Sequence, residues 1–524
     1  MPFTRRRLVT AIGAAGVMVA GGRLSRIAGS RATAFAAPAA QPVPGGTLRI
    51  GLTGGWATLD PPHYTNVSER EIFYSIYSPL FSLTPAFTIG PGLVRTWTVS
   101  PDGLRLTFHL QPGVQFHDGT PCDAAAVKFN IERTLDPATG SAFRTILAPI
   151  KDVRVTGAAT VDLTLAAPFT PLLSWFTEGP GFMVSPAGVK KWGAQFGQHP
   201  AGTGPFAFAE WVKDDHITLR KFPDYWQQGR PYLNEVVYRP LNDETVKMAN
   251  LRAGSLDLVD TVPAREQRAI GGDPRFKTII FPGTRWPMIR LNNALPPFNN
   301  KALRQAVSYA VNRLQIVTAI YFGQARPAYG PISPVYRDYY DPSITRVSYR
   351  HDPQKARAKL ADGGRPNGFT FTLEIYASPE QTRLAELIKA QLAEVGITAN
   401  IQSYELTTLQ ARITGKRYEA VIGSWTPRPD IDGTMYNHFS SRGNVNSMTY
   451  RNDEVDRLLE QSRAIPNGPG RVRVYRDIQR LVVDDAPWVF LVFENLMTAT
   501  RKEVHDLPVV PDTMLRFGAV WMQV

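Results

Sequence analysis

Residues 369–401 read FTFTLEIYASPEQTRLAELIKAQLAEVGITANI. Phe369, Phe371, Leu373 and Ile375 alternate with polar neighbours, the period of a strand with one buried face. Ser378-Pro379-Glu380-Gln381 then supplies a hydroxyl cap, a proline at the first helical position and an amide three residues after the cap. Leu384, Leu387, Ile388, Leu392 and Val395 recur at helical spacing, and Gly396 closes the helix. Ile397, Ala399 and Ile401 alternate once more. Strand, helix and strand at this spacing predict a parallel crossover, so this part of the chain is α/β.

A second helix is predicted from about Lys301, with Leu303, Val307, Ala310, Val311 and Leu314 on one stripe. Upstream the pattern changes. Residues 92–116 read as antiparallel: Thr96–Val99, a Ser-Pro-Asp-Gly turn, then alternation from Leu104 to Leu110. Asp152–Leu165 alternates in the same way. Gly45–Leu52 predicts a short strand, followed by a loop through Trp56 and Leu59-Asp60-Pro61-Pro62. A strand-rich section with one helix therefore precedes an α/β section. The sequence shows no fixed-period repeat.

The first residues have an export pattern. Adjacent arginines Arg5, Arg6 and Arg7 precede an Ala/Gly/Val-rich stretch from Leu8 to Gly22, shorter than the roughly 20 residues of a spanning helix. Ala34-Phe35-Ala36 offers a small-residue cleavage site, which predicts a cut after Ala36. The arginine pair resembles a twin-arginine signal, the alternative being an ordinary export signal. The mature protein is expected to be soluble and periplasmic, with no cysteine near the cut to carry a lipid. The chain has 524 residues and a formal charge of +13, of which six arginines, and no acids, lie in residues 1–36; without them the charge is +7. That mild excess, without a Lys/Arg run, points away from nucleic acid as a partner. The length calls for two or three domains.

Cys122 is the only cysteine, so no internal disulfide forms. In Thr120-Pro121-Cys122-Asp123 we read Thr120 as a helix cap, with Cys122, Ala126 and Phe129 on one helical face and the thiol buried. Catalytic motifs are absent: there is no Gly-x-Ser-x-Gly elbow, no phosphate loop and no His-Glu-x-x-His. The eight histidines show no metal spacing. Gly202-Thr203-Gly204 superficially resembles a dinucleotide loop, but Pro205 and a strand-like Phe206-Ala207-Phe208 leave no helix N-terminus to hold phosphate. No cofactor, metal or enzymatic activity is expected.

Five collinear segments carry a resemblance. They are His117-Asp118-Gly119-Thr120-Pro121 with Ala126-Val127-Lys128-Phe129; Ala201-Gly202-Thr203-Gly204-Pro205-Phe206 leading to Phe222-Pro223-Asp224-Tyr225-Trp226; residues 291–313; Asp352-Pro353-Gln354-Lys355-Ala356; and Asp484-Asp485-Ala486-Pro487-Trp488. Together, over roughly residues 45–500, they resemble the family-5 solute-binding proteins of ABC transporters, the oligopeptide, dipeptide, nickel and opine binders. The resemblance implies a two-lobed α/β periplasmic-binding-protein fold with an inserted subdomain and a two-strand hinge. On that basis lobe I spans 45–285, with the insert at about 91–200. Lobe II spans 293–488, and 489–524 returns to lobe I. The hinge strands fall near Arg285–Asn292 and Val489–Asn495. The implied partners are a short peptide or amino-acid derivative, with a metal chelate, opine or sugar conjugate as the alternative, and the permease subunits of an importer. A monomer is implied.

In the family a Trp-containing loop of the second lobe carries an Asp that pairs with the ligand's ammonium. Here the loop reads Ser424-Trp425-Thr426-Pro427-Arg428-Pro429-Asp430-Ile431-Asp432-Gly433. Asp430 is the first choice for that role and Asp432 the second. Arg428 is placed to fork onto a ligand carboxylate, and Trp425 and Tyr436 to offer flat walls. The alternative is that Arg428 and Asp430 pair with each other and only shape the loop. Trp56 is a further contact expected from the opposite lobe, with Arg285 and Trp286 at the hinge behind it. Asp430 with Asp432 could mimic an acid–base carboxylate pair, but in a Pro/Gly loop binding or turn geometry is the simpler use.

Overall fold

A computed structural model describes residues 41–524, apart from Thr65, residues 345–348, Pro427 and Val524. The export signal expected over residues 1–36 lies outside the described residues.

One strand organises the chain. Phe276–Leu291 forms one strand of 16 residues, interrupted by a bulge, although Pro282 and Pro287 lie inside it. Its first part pairs antiparallel with Val492–Arg501, from Phe276 opposite Arg501 to Phe281 opposite Leu496. Its second part pairs with Ala420–Trp425 on one edge and Trp488–Phe490 on the other. The register breaks between Phe281 and Arg285. Pro282 has no N–H to donate there, and Gly283 takes φ +67°, a left-handed value that a Cβ disfavours. The sheet therefore runs through both halves of the protein, in the order 398–404, 370–376, 420–425, 276–291, 492–501, 258–259, 47–52, 235–240, 216–221 and 206–212.

Successive side chains of a strand point to opposite faces, so the second part of the long strand feeds two cores. Trp286 and Met288 pack with Tyr475, Ile478 and Trp488, while Ile289 and Leu291 pack with Val307, Leu373 and Ile388. Helices cover both faces, and this is the second lobe. Its parallel crossover is formed: Thr370–Tyr376 pairs parallel with Thr398–Tyr404, joined by the helix Pro379–Ala393, whose Ser378 hydroxyl accepts from the Gln381 amide.

The first lobe has its own core, drawn from Leu48 through Phe281 and again from Val504 to Val520. Within it a four-stranded antiparallel sheet forms in the order Val94–Val99, Arg105–Leu110, Thr160–Leu165, Ile150–Gly157. The helix Ala124–Leu135 buries Val127 and Ile131 in the same cluster as Phe108 and Leu163 from that sheet.

Three local expectations need correction. The helix after Pro121 is capped by Asp123, whose carboxylate accepts from the Ala126 amide at 3.0 Å, not by Thr120. Cys122 therefore precedes the helix rather than sharing its face, although it is buried and burial pushes its thiol up. The stripe from Lys301 ends at Ala310, because Asn312 caps a new helix, Arg313–Ala319. That break turns Leu314 outward, to 64% exposure.

The Gly202-Thr203-Gly204 segment is a close-packing loop. A Cβ on Gly202 would lie 2.2 Å from the Ile76 carbonyl oxygen, and one on Gly204 would lie 2.5 Å from the Ile76 carbonyl carbon. The strand Phe206–Val212 follows, with no helix to cradle phosphate.

Candidate functional site

The loop after Ala420–Trp425 leads into the helix Asp432–Phe439 and faces the first lobe. Tyr336 holds it from behind: its hydroxyl donates to the Arg428 carbonyl at 2.9 Å and accepts from the Arg428 amide at 3.0 Å.

Arg428 and Asp430 do not pair with one another; each has a partner elsewhere. Arg471 binds Asp430 at two points, Nη1 to Oδ2 and Nη2 to Oδ1, both 2.7 Å. The Arg471 side chain is fully buried. Asp430 also accepts from the Asp432 amide at 2.8 Å. Arg463 binds Asp432 in the same two-point manner, at 2.8 and 3.0 Å. Burial raises the Asp432 carboxyl above its ordinary value even though Arg463 pulls it down. The ammonium-pairing role expected of Asp430 or Asp432 thus falls on carboxylates that guanidiniums already neutralise.

Arg428 crosses the seam instead. Its Nη1 donates to Glu178 Oε2 of the first lobe at 3.2 Å, and its guanidinium lies over the Trp425 ring. Arg70, on the helix Val67–Ile76, donates to the same Oε2 at 2.5 Å. Burial works against the charge on Glu178, but the Arg428 and Arg70 guanidiniums outweigh it and hold the carboxyl below its ordinary value. Burial also raises the neighbouring Tyr64 hydroxyl, and Glu178 adds to that.

The other candidates divide. Trp425 donates from Nε1 to Thr434 Oγ1 at 3.1 Å and meets His438 edge-on. Tyr436 donates to Glu460 at 2.8 Å, beneath the Arg463 guanidinium, which also lies over Phe169 of the first lobe. Thr170 N donates to the Arg463 carbonyl at 2.8 Å. Gly433 lets the lobes approach: a Cβ there would lie 2.6 Å from Arg428 Cβ and 3.4 Å from the Trp175 ring. A cavity of about 680 Å³ opens at this seam, with Phe87, Ile89 and Ser174 on one side and Tyr336, Asp430 and Val472 on the other. Trp56 is not among its lining residues. It lines a separate space of about 780 Å³ with His199, Phe208 and Trp211, all of the first lobe. Arg285 bonds Glu494 at 2.7 Å and Glu380 at 3.3 Å, and Trp286 is core.

The sequence alone does not mark Arg70, Glu178, Arg463 or Arg471. No local motif marks them, since Glu178 and Arg428 lie 250 residues apart. Among the described residues no group of three or more His, Cys, Asp or Glu is arranged to hold a metal ion, and no helix is long and apolar enough to cross a membrane.

Two α/β lobes strung on shared strands, meeting across a seam that carries charged side chains of both, define a solute-binding protein of the periplasmic-binding type. Residues 88–447 match the model of the bacterial extracellular solute-binding proteins, family 5. The chain belongs to that family. It is 29% identical to the glutathione-binding protein GsiB of Escherichia coli K12 over 481 residues, 89% of this chain and 93% of the relative. It superposes on the Helicobacter pylori periplasmic binding protein DppA, solved with the peptide STSA, with a TM-score of 0.84 at 26% identity, covering 92% of this chain and 98% of that one. It also matches AgaA of A. tumefaciens R10, solved with agropinic acid, with a TM-score of 0.82 at 27% identity, covering 91% and 99%.

Proposed function

We propose that this protein is the exported substrate-binding component of an ABC importer, taking a short peptide or amino-acid derivative into the cleft between its lobes. The observation that carries the reading is the seam itself: Arg428 of the second lobe reaches Glu178 of the first, beside a cavity with walls from both lobes. The strands 276–291 and 488–501 act as the hinge, with the register break at Phe281–Arg285 as its soft point. Lobe closure presents the surface that the membrane permease recognises. The family resemblance and the glutathione- and peptide-binding relatives support a peptide-like ligand.

On this reading, residues 1–36 are a cleavable twin-arginine-type signal and the mature protein is a soluble periplasmic monomer. It releases its ligand unchanged. Trp425, Arg428 and Tyr436 wall the second-lobe side, and Asp430 and Asp432 shape it through their arginines. An opine or sugar conjugate is the second reading, favoured by the likeness to AgaA with agropinic acid.

Native mass spectrometry of the mature protein, with a panel of dipeptides, glutathione and opines, tests both readings. One-to-one adducts that leave on denaturation with unchanged mass support the binder. Hydrolysed products would refute it.

A further inference from the structure

Glu178 and Arg70 form an ion pair that is only half satisfied. Oε2 of Glu178 takes Arg70 Nη1 at 2.5 Å and Arg428 Nη1 at 3.2 Å. Oε1 has no hydrogen-bond partner among the described residues, and neither has Arg70 Nη2. Among the described residues Arg70 Nε has the Met514 sulfur, at 3.2 Å, a weak acceptor. Glu178 is 1% exposed and Arg70 2%. Buried polar groups are almost always paired, so an unused acceptor and an unused donor in one ion pair call for a ligand with the opposite arrangement. The other charged groups of the region are engaged: Asp512 with Arg516, Glu71 with the Leu515 amide, Asp432 with Arg463 and Asp430 with Arg471.

We propose that this pair receives a zwitterionic α-amino-acid head, the ligand's α-ammonium donating to Glu178 Oε1 and its α-carboxylate accepting from Arg70 Nη2. Arg428 closes on the head from the second lobe. The inference rests on the peptide-and-conjugate reading above and sharpens it. Arg70 Nη1 and Glu178 Oε2 already bond at 2.5 Å, and each unused atom shares its carbon with one of these, so the two are separated by no more than that bond and the two groups it joins. Both charges of the ligand must then sit close together, as on a single carbon. In a linear peptide the terminal charges move apart by about 3.3 Å per residue. The site therefore selects side-chain-linked amino acids, such as γ-glutamyl compounds, over α-linked peptides of the same composition. The ammonium anchor then comes from the first lobe, not from the Trp425–Gly433 loop.

Isothermal titration of the mature chain with glutathione and with its α-linked isomer, Glu-Cys-Gly, tests this. The isomer has the same atoms but no free carboxylate beside its ammonium. Glutathione is expected to bind at least tenfold more tightly, and Glu178→Gln to abolish the difference while circular dichroism shows an intact fold. If Glu178→Gln does not fold, the wild-type comparison of the two isomers decides alone. Equal affinities, or binding of the α-linked form or alanyl-alanine in preference, overturn the head assignment and leave peptide capture standing. If no peptide, glutathione or opine binds, the proposed function fails and the head assignment fails with it.

Discussion

Arg471 and Asp430 meet in a two-point ion pair inside the second lobe, Nη1 to Oδ2 and Nη2 to Oδ1, both at 2.7 Å. The pair anchors the loop that faces the cleft to the helix Pro469–Asp485. It makes Asp430 a support of the wall, with its charge already matched.

Removing that carboxylate strands a buried guanidinium. Asp430→Ala is expected to destabilise the second lobe by about 3–5 kcal/mol, the usual penalty for breaking a buried pair. Denaturant unfolding measures it. Asp430→Ala combined with Arg471→Met should recover part of the loss, because neither charge then remains unpaired. If the single variant is as stable as the wild type, the pair contributes nothing to the loop.

Arg428 should behave differently, being 22% exposed and acting across the seam. Arg428→Ala leaves the buried Glu178 carboxylate still paired with Arg70, so it is expected to cost less than the roughly 3–5 kcal/mol of a fully broken buried pair but to shift the protein toward an open form. Small-angle scattering should show a larger radius of gyration for the variant, and an unchanged radius would count against Arg428 as a bridge between lobes.

The seam should also weaken in acid. The arginines hold Glu178 below its ordinary value in the folded protein. Its contribution is therefore complete above the unfolded carboxyl value of about 4.3 and fades as pH falls through the lower folded value. Arg70, Arg428 and Tyr64 face it; the Arg70 guanidinium and the Tyr64 hydroxyl are both raised from their ordinary values, so neither changes its proton in that range. Asp432, raised by burial, takes up its proton first and loosens Arg463. Tryptophan fluorescence followed from neutral pH downward should show opening below about pH 4 in the wild type. Glu178→Gln should lack the Glu178 component, and identical curves would contradict the assignment.

Gly202→Ala tests the scaffold motif. The added Cβ would lie 2.2 Å from a backbone oxygen, and backbone cannot yield as a flexible side chain can. A loss at the upper end of overpacking effects, about 3 kcal/mol, is expected in thermal unfolding of the first lobe. A neutral substitution would mean that the loop has room.

Periodicity made the regular elements readable. The crossover from Thr370 to Tyr404 and the antiparallel pair at Val94–Leu110 follow from alternation and helical spacing. Short-range competition decided the misses: Asp123 outcompeted Thr120 as a cap, and Asn312 split the helix at Val311. Phe276–Leu291 contains two prolines and a glycine, which hide a long strand. The seam residues were illegible for another reason. Arg70, Glu178 and Arg428 come from distant segments, and only the folded lobes bring them together. The Trp425–Gly433 loop is legible in the sequence, but the partners of its carboxylates, Arg463 and Arg471, lie on later segments with no motif to mark them.

Ligand-driven closure of the lobes is tested most directly by fluorescence transfer between them. Cys122 is buried, with a thiol that burial keeps protonated, so cysteines placed by Arg154→Cys in the first lobe and Lys389→Cys in the second, both exposed sites, will label selectively. Adding a peptide or glutathione that binds by native mass spectrometry should raise the transfer efficiency in a saturable way, with the midpoint at the binding constant. Binding without any change in transfer would contradict capture by hinge closure.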